Sequence, residues 1–300
     1  MAAPDSALLE HKMKNMLKIL KWTLIIVIAA AAALFIKVIH DQKLQAEDHQ
    51  NMIKRDEDLI GKHFYLKREN KEDVDLNLYL LDDGKTHPLI INIHGGAFIA
   101  GDADTLDTQS DRISHDWNAN VIAVNYRLMK GNYTKQYAID EIKDTVKYFI
   151  GHAEEYGIDT DQIFLLGYSA GGYHAMASAL QLHIEGIDVK GQIICYGFLS
   201  DLMDQFNELN DEQKKTLPPA LFILAGNEPI GKGSLEYEEA LRSNGVSTEV
   251  KVYDGAMHGF IEENNPEYEK LHSHVSMSPE QEILAREAEN DMNEWINRIR

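Results

Sequence analysis

The sequence is poor in cysteine and in basic residues, and each shortage excludes a class of protein. Its 300 residues include a single cysteine, Cys195, so an intrachain disulfide framework is impossible. Lysine and arginine together number 29 against 49 aspartates and glutamates, which gives a formal net charge of −20. Because binding of nucleic acid requires concentrated positive charge, this balance argues against a nucleic-acid partner. Proline is also scarce, with seven residues, and the composition is that of a globular protein.

The N-terminus differs from the rest in charge and hydropathy. Residues 1–40 carry a net charge of +3, whereas the remainder carries −23. Residues 19–39 are almost entirely apolar, and about 20 such residues suffice to cross a bilayer. Lysines cluster before this stretch, so we expect a cytoplasmic tail at 1–18, a transmembrane signal-anchor at 19–39 and an extracytoplasmic body. A cleaved signal peptide, which would give a secreted protein, and a buried helix of a soluble protein stay open as alternatives.

The rest of the chain has the pattern of one α/β domain. Residues 40–62 are polar and predict a spacer, and residues 63–300 then begin with two β-forming segments that predict a hairpin. Five near-continuous apolar runs follow, as in parallel strands covered on both faces: PLIINI, NVIAVNY, QIFLLG, GQIICYG and PALFILAG. Helical stretches are predicted at 138–156, 170–182, 234–244 and from 278 to the end. We therefore predict a doubly wound, mostly parallel α/β sheet, with chemistry at the carboxyl ends of its strands.

A serine lies between glycines at the end of one of these runs. The segment GYSAG places Ser169 after the strand QIFLLG and before a helix that opens with small residues. This is the pattern of a nucleophile elbow, a sharp strand-to-helix turn that exposes a serine hydroxyl. The hypothesis requires an oxyanion hole, a histidine and an acid in addition.

Three further loops supply candidates for the oxyanion hole, the histidine and the acid. The segment HGGAF follows another predicted strand, and its backbone N–H groups could stabilise an oxyanion. His258, in DGAMHGF, follows a last predicted strand, TEVKVYDG, so it arrives at the same edge and is the predicted base. Glu228 is the first carboxylate after PALFILAG and is the predicted acid, with Asp201 as the alternative. Tyr168 and Phe98 are candidates for walls of a substrate pocket, and both could equally belong to the core.

These motifs resemble the α/β-hydrolase superfamily and, within it, the hormone-sensitive-lipase-like esterases. The matching pieces are HGGAF, NYRL, GYSAGG, LPPALFILAGNEPI, YEEALRSNGV and YDGAMHGF, in the family's order over about residues 85–262. The resemblance implies a serine esterase that uses no metal or organic cofactor. It also implies that Ser169, Glu228 and His258 form the triad.

The resemblance further implies an oxyanion hole made by the backbone N–H groups of Gly95, Gly96 and Ala170. The chain departs from the family at Ala97, where a third glycine is usual, and at Glu228, where aspartate is usual. A third departure follows NYRL, where the family's proline-rich approach to the next helix is missing.

The expected substrate is a small-molecule ester. A polar, acidic segment after His258 favours short-chain or carbohydrate-borne acyl groups over long-chain lipids. The alternatives are a catalytically silent hydrolase fold that serves as a surface binding module, and a peptidase or acyltransferase on the same fold.

Overall fold

The computed structural model describes residues 59–226, 231–263 and 278–300 of the chain. Within these residues, eight strands form one sheet. In chain order they are β1 (Lys62–Leu66), β2 (Val74–Tyr79), β3 (His87–Ile93), β4 (Asn120–Asn125), β5 (Ile158–Tyr168), β6 (Gly191–Cys195), β7 (Ala220–Ala225) and β8 (Thr248–Tyr253). Across the sheet the order is β1-β2-β4-β3-β5-β6-β7-β8. The pairs β1–β2 and β2–β4 are antiparallel, and the remaining neighbours are parallel.

Helices cover both faces of this sheet. The longer ones in the described residues are α1 (Asp107–Asp116), α2 (Lys135–Gly151), α3 (Ala170–Ile184), α4 (Gly231–Ser243) and α5 (Pro279–Ile299). Short helical segments lie at Ala103–Leu106, Ala153–Tyr156, Ser200–Leu202, Met203–Glu208 and Asp211–Lys215. Helices α2, α3 and α4 contribute to one buried apolar cluster, and α1 and α5 contribute to another. The sheet therefore lies between two helical layers.

The burial of the strands explains why the apolar runs are continuous. Every residue of β3, β6 and β7 is buried, because helices cover both faces of the parallel part of the sheet. The predicted doubly wound, mostly parallel α/β sheet is confirmed.

One of the longer helices was absent from the sequence-based expectation. Helix α1 has the polar sequence DTQSDRISHD, and its buried face includes Gln109 and Ser110. Ser110 accepts a hydrogen bond of 3.0 Å from Asn92 Nδ2 of β3, so a polar group of the helix pairs with one of the sheet. The usual signal of an apolar face is therefore weak here.

The predicted N-terminal segments cannot be compared with this structure. The tail, the anchor at 19–39 and most of the spacer lie outside the described residues. Among the residues that are described, no helix is both long enough and apolar enough to cross a membrane.

Candidate active site

Ser169 occupies a strained turn between β5 and α3. Its backbone has φ 50° and ψ −113°, a conformation that L residues rarely adopt, and its side chain is half-buried. The two flanking positions require glycine because a Cβ there would collide with backbone atoms, and not because of their φ angles. A Cβ at Gly167 would lie 2.2 Å from the carbonyl oxygen of Gly171, and one at Gly171 would lie 2.1 Å from that of Ile93. The turn is thus a nucleophile elbow in its geometry.

His258 reaches this serine from the loop after β8. Its Nε2 lies 2.8 Å from Ser169 Oγ, within hydrogen-bond distance, although the two residues are 89 positions apart. The ring of buried Tyr196 packs edge-on against the imidazole, with centroids 5.1 Å apart. The geometry allows the hydroxyl to donate to the imidazole, which a nucleophile and its general base require.

Gln281, in the first turn of α5, anchors the loop that carries His258. Its Oε1 accepts from the N–H of Met257 at 2.8 Å, and its Nε2 donates to the carbonyl of Gly255 at 2.9 Å. The residue before the histidine is therefore held by the C-terminal helix. Sequence reasoning missed Gln281 because no local pattern reports a contact between a helix terminus and a distant loop.

Of the two predicted acids, only Asp201 lies within the residues that the structure describes. Glu228 lies outside the described residues, so its role stays a prediction. Asp201 lies in the helical turn after β6 with its side chain 55% exposed, and its carboxylate binds Lys135 Nζ at 2.8 Å. This ion pair gives Asp201 another role, and Glu228 stays our preferred candidate.

The predicted oxyanion hole is corrected at one of its donors, the N–H of Gly95. The N–H of Gly95 donates to Glu262 Oε2 at 2.8 Å in a buried site, so this donor is occupied. In the part of the chain that the structure describes, the N–H groups of Gly96, Ala97 and Ala170 donate to no other protein group. Ala170 opens α3, where unpaired N–H groups and the helix dipole both favour negative charge.

The residues after the two glycines adopt left-handed backbone angles. Ala97 has φ 52° and Phe98 has φ 69°, and each such non-glycine residue costs about 1 kcal/mol. The turn is closed by the carbonyl of Gly96, which accepts from the N–H groups of Ile99 and Ala100 at 3.1 and 2.9 Å. The alanine that replaces the family's third glycine therefore takes the conformation that a glycine would adopt more easily.

The two predicted wall residues differ in burial. Tyr168 is fully buried in the cluster on the α1 and α5 side of the sheet, because it is the last residue of β5 and its side chain points into that layer. Of the two interpretations that the sequence left open for Tyr168, pocket wall or core, the structure supports the core. Phe98 is only partly buried, packs edge-on against Tyr173 at 5.3 Å, and has Lys135 Nζ 4.3 Å above its ring. It stays a candidate wall.

Two buried histidines, His94 and His174, pack with Tyr126 next to the HGG turn. His94 stacks on Tyr126 with centroids 4.2 Å apart, and Tyr126 also contacts the ring of His174. His94 Nδ1 lies 2.6 Å from the carbonyl of Gly95, so Nδ1 must carry the proton of a neutral ring. Burial lowers the pKa of His94 to about 4 and that of His174 to about 3. Both rings are therefore neutral at pH 7.

Because these pKa values are low, the free energy of unfolding is expected to fall as the pH drops below about 6.5. The unfolded chain protonates its histidines below about pH 6.5, whereas folded His174 stays neutral down to about pH 3, so the unfolded state binds more protons in between. His174→Phe is expected to gain about 2 kcal/mol of stability relative to wild type between pH 7.5 and pH 5. Denaturant unfolding at both values measures this gain. Parallel curves of unfolding free energy against pH for His174→Phe and wild type would refute the prediction. The control is His115→Gln, because the His115 side chain is 65% exposed.

Comparison with known proteins agrees with the fold that carries this site. Together they define a protein of the α/β-hydrolase fold with a serine at its elbow. A family model described as alpha/beta hydrolase fold matches residues 90–215 and 200–262, together more than half of the chain. The chain therefore belongs to this family, and its resemblance to the hormone-sensitive-lipase-like esterases is confirmed.

Individual relatives are more distant. The chain is 27% identical over 207 residues to an acetyl esterase of Salmonella typhi, and the match covers 56% of the chain. The chain spans 64% of the length of that relative. An esterase of the archaeon Pyrobaculum calidifontis aligns with TM-score 0.67 and 21% identity, over 87% of this chain and 92% of the other. A thermostable carboxylesterase from a metagenomic library aligns with TM-score 0.67 and 19% identity, over 86% and 95%. These two structures support the fold alone.

Proposed function

We propose that the protein is a serine carboxylesterase. The observation that carries the proposal is the 2.8 Å approach of His258 Nε2 to Ser169 Oγ at a strained elbow. Ser169 attacks the carbonyl carbon of an ester while His258 takes the hydroxyl proton. The tetrahedral intermediate then expels the alcohol, which receives that proton. Water, activated by the same imidazole, releases the carboxylic acid and restores the serine.

The developing oxyanion is the largest electrostatic demand of this mechanism. We assign its stabilisation to the backbone N–H groups of Gly96 and Ala170, with Ala97 as a third donor. None of these groups donates elsewhere within the described residues, so they need no rearrangement to bind the charge. Glu228 is proposed as the acid that holds His258 in the required tautomer.

We propose short-chain or carbohydrate-borne acyl esters as substrates. The name acetyl esterase, carried by the Salmonella relatives, supports a small acyl group. The test is hydrolysis of p-nitrophenyl esters from acetate to palmitate, with an acetylated sugar as a second substrate. Acetate or butyrate should give the highest kcat/KM. A maximum at palmitate would reject the proposed acyl length, and absence of hydrolysis of every ester would favour a silent binding module.

We further propose that residues 19–39 anchor the protein in a membrane with the catalytic domain outside the cytoplasm. Support comes from the length of the apolar stretch and from the lysines before it. Protease added to intact cells that express the full chain should digest the catalytic domain. Protection of this domain would reject the orientation, and recovery of a shortened, soluble form in the medium would instead establish signal cleavage and secretion.

A further inference from the structure

Glu262 links the loop of His258 to the HGG turn. It follows the histidine by four positions, is 5% exposed, and accepts the N–H of Gly95 at 2.8 Å through Oε2. Its other oxygen, Oε1, lies 2.3 Å from where a Cβ would stand on Gly95, so any side chain at that position would displace the carboxylate. The family resemblance assigns no role to this glutamate.

The contact fixes the orientation of a peptide plane. The peptide between His94 and Gly95 is held at both ends, because Tyr126 Oη donates to the carbonyl of His94 at 3.0 Å and Glu262 accepts from the N–H of Gly95. The carbonyl of the next peptide, Gly95, accepts from His94 Nδ1 at 2.6 Å. Since N–H and C=O point in opposite directions in a trans peptide, the Gly95 carbonyl held by His94 sets the direction of the Gly96 N–H, while Glu262 holds the peptide just before it.

Burial of a carboxyl group at this place is costly unless the group holds a partner. Burial raises the pKa of Glu262 to about 8, with a contribution from Glu263, while His258 acts in the opposite direction. Replacement of buried ionisable groups by apolar residues is often neutral or stabilising when no partner is left unpaired. Here the N–H of Gly95 would be left unpaired, so an acceptor is needed to hold the turn in its observed conformation.

We propose that Glu262 is a positioning residue of the esterase site, which aims the oxyanion-binding N–H of Gly96 by holding Gly95 and couples the turn to the loop of His258. The proposal rests on the proposed esterase function. It concerns how the donors are placed and not the chemical steps.

The test compares two variants of the full chain with p-nitrophenyl acetate as substrate. Glu262→Met fills a similar volume and lacks a strong acceptor, and it should lower kcat about 10- to 100-fold with KM within about threefold of wild type. Glu262→Gln keeps an amide oxygen for the N–H of Gly95 and should stay within about fivefold of the wild-type kcat. Loss of activity in both variants, or in neither, would contradict the proposal.

A second measurement separates positioning from general damage. The Ki of a trifluoromethyl ketone, which forms an oxyanion on the serine, should rise in Glu262→Met in proportion to the fall in kcat/KM. A fall in kcat with an unchanged Ki overturns the proposal. Glu289→Met is the matched control, since Glu289 is equally buried but binds Gln109 and Arg112 on the α1 side of the sheet. It should lower Tm and leave kcat and Ki unchanged.

Amide hydrogen exchange of the peptide that contains Gly95 and Gly96 gives a readout that needs no activity. Exchange there should be faster in Glu262→Met than in wild type and in Glu289→Met. If the wild type hydrolyses no ester, the proposed function fails, while unchanged exchange shows separately that Glu262 does not hold the turn.

Discussion

Replacement of Ser169 by alanine is expected to lower kcat for p-nitrophenyl acetate by about 10⁴-fold or more. The reason is that in the proposed mechanism Oγ forms the bond to the substrate, and Oγ lies 2.8 Å from Nε2 of His258, the proposed base. The oxyanion donors and the binding surface stay in place, so a small residual rate should persist. Steady-state kinetics measures the loss, and labelling by a fluorophosphonate should disappear in parallel.

Another serine on α3 provides the control for this substitution. Ser178 is fully buried, and its hydroxyl has no hydrogen-bond partner within the described residues. Ser178→Ala should therefore keep kcat within about twofold of wild type. If Ser169→Ala retained a tenth or more of the wild-type rate while remaining folded, Ser169 would not be the nucleophile.

Replacement of Gly171 by alanine is expected to destabilise the fold by about 3 kcal/mol, at the upper end of the range for overpacking. The added methyl group would lie 2.1 Å from the carbonyl oxygen of Ile93 and 2.5 Å from that of His94. Both are backbone atoms, so neither can rotate away as a side chain does. The start of α3 would have to move away from the end of β3, which would also displace Ala170 and lower activity.

Unfolding in urea measures this effect, and Gly151→Ala is its control. Gly151 is the last residue of α2, and nothing lies within 4 Å of a Cβ built there. Alanine at that site should be neutral or stabilising by up to about 1 kcal/mol. Equal stability of Gly171→Ala and wild type would show that the close approach of α3 to β3 is not a constraint on the fold.

The parts of the site that were predictable depend on local backbone requirements. Gly167 and Gly171 flank Ser169 because the elbow brings backbone atoms too close for any Cβ, and this requirement appears directly as a motif. The position of His258 followed from the strand before it, since parallel strands end at one edge of the sheet. The continuous apolar runs likewise indicated strands that are covered on both faces.

Other features depend on contacts between distant segments and had no local signal. Helix α1 was missed because its buried groups are polar and hydrogen-bond to the sheet. Tyr168 was a candidate pocket wall because it precedes Ser169, and only the alternation of side chains along β5 shows that it lies in the core. Gln281 contacts the loop of His258 from a helix that begins 21 residues later.

Hydropathy patterns and steric limits within a few residues were enough to predict the class of fold, the elbow at Ser169, the HGG turn and His258 as the base. The tertiary structure decided which of the HGG donors is available, since Gly95 donates to Glu262, 167 positions away. The occupancy of a backbone N–H depends on which acceptor the fold brings within hydrogen-bond distance. Here the acceptor is brought into place by the packing of the loop after β3 against the loop that carries His258, and no sequence motif reports that packing.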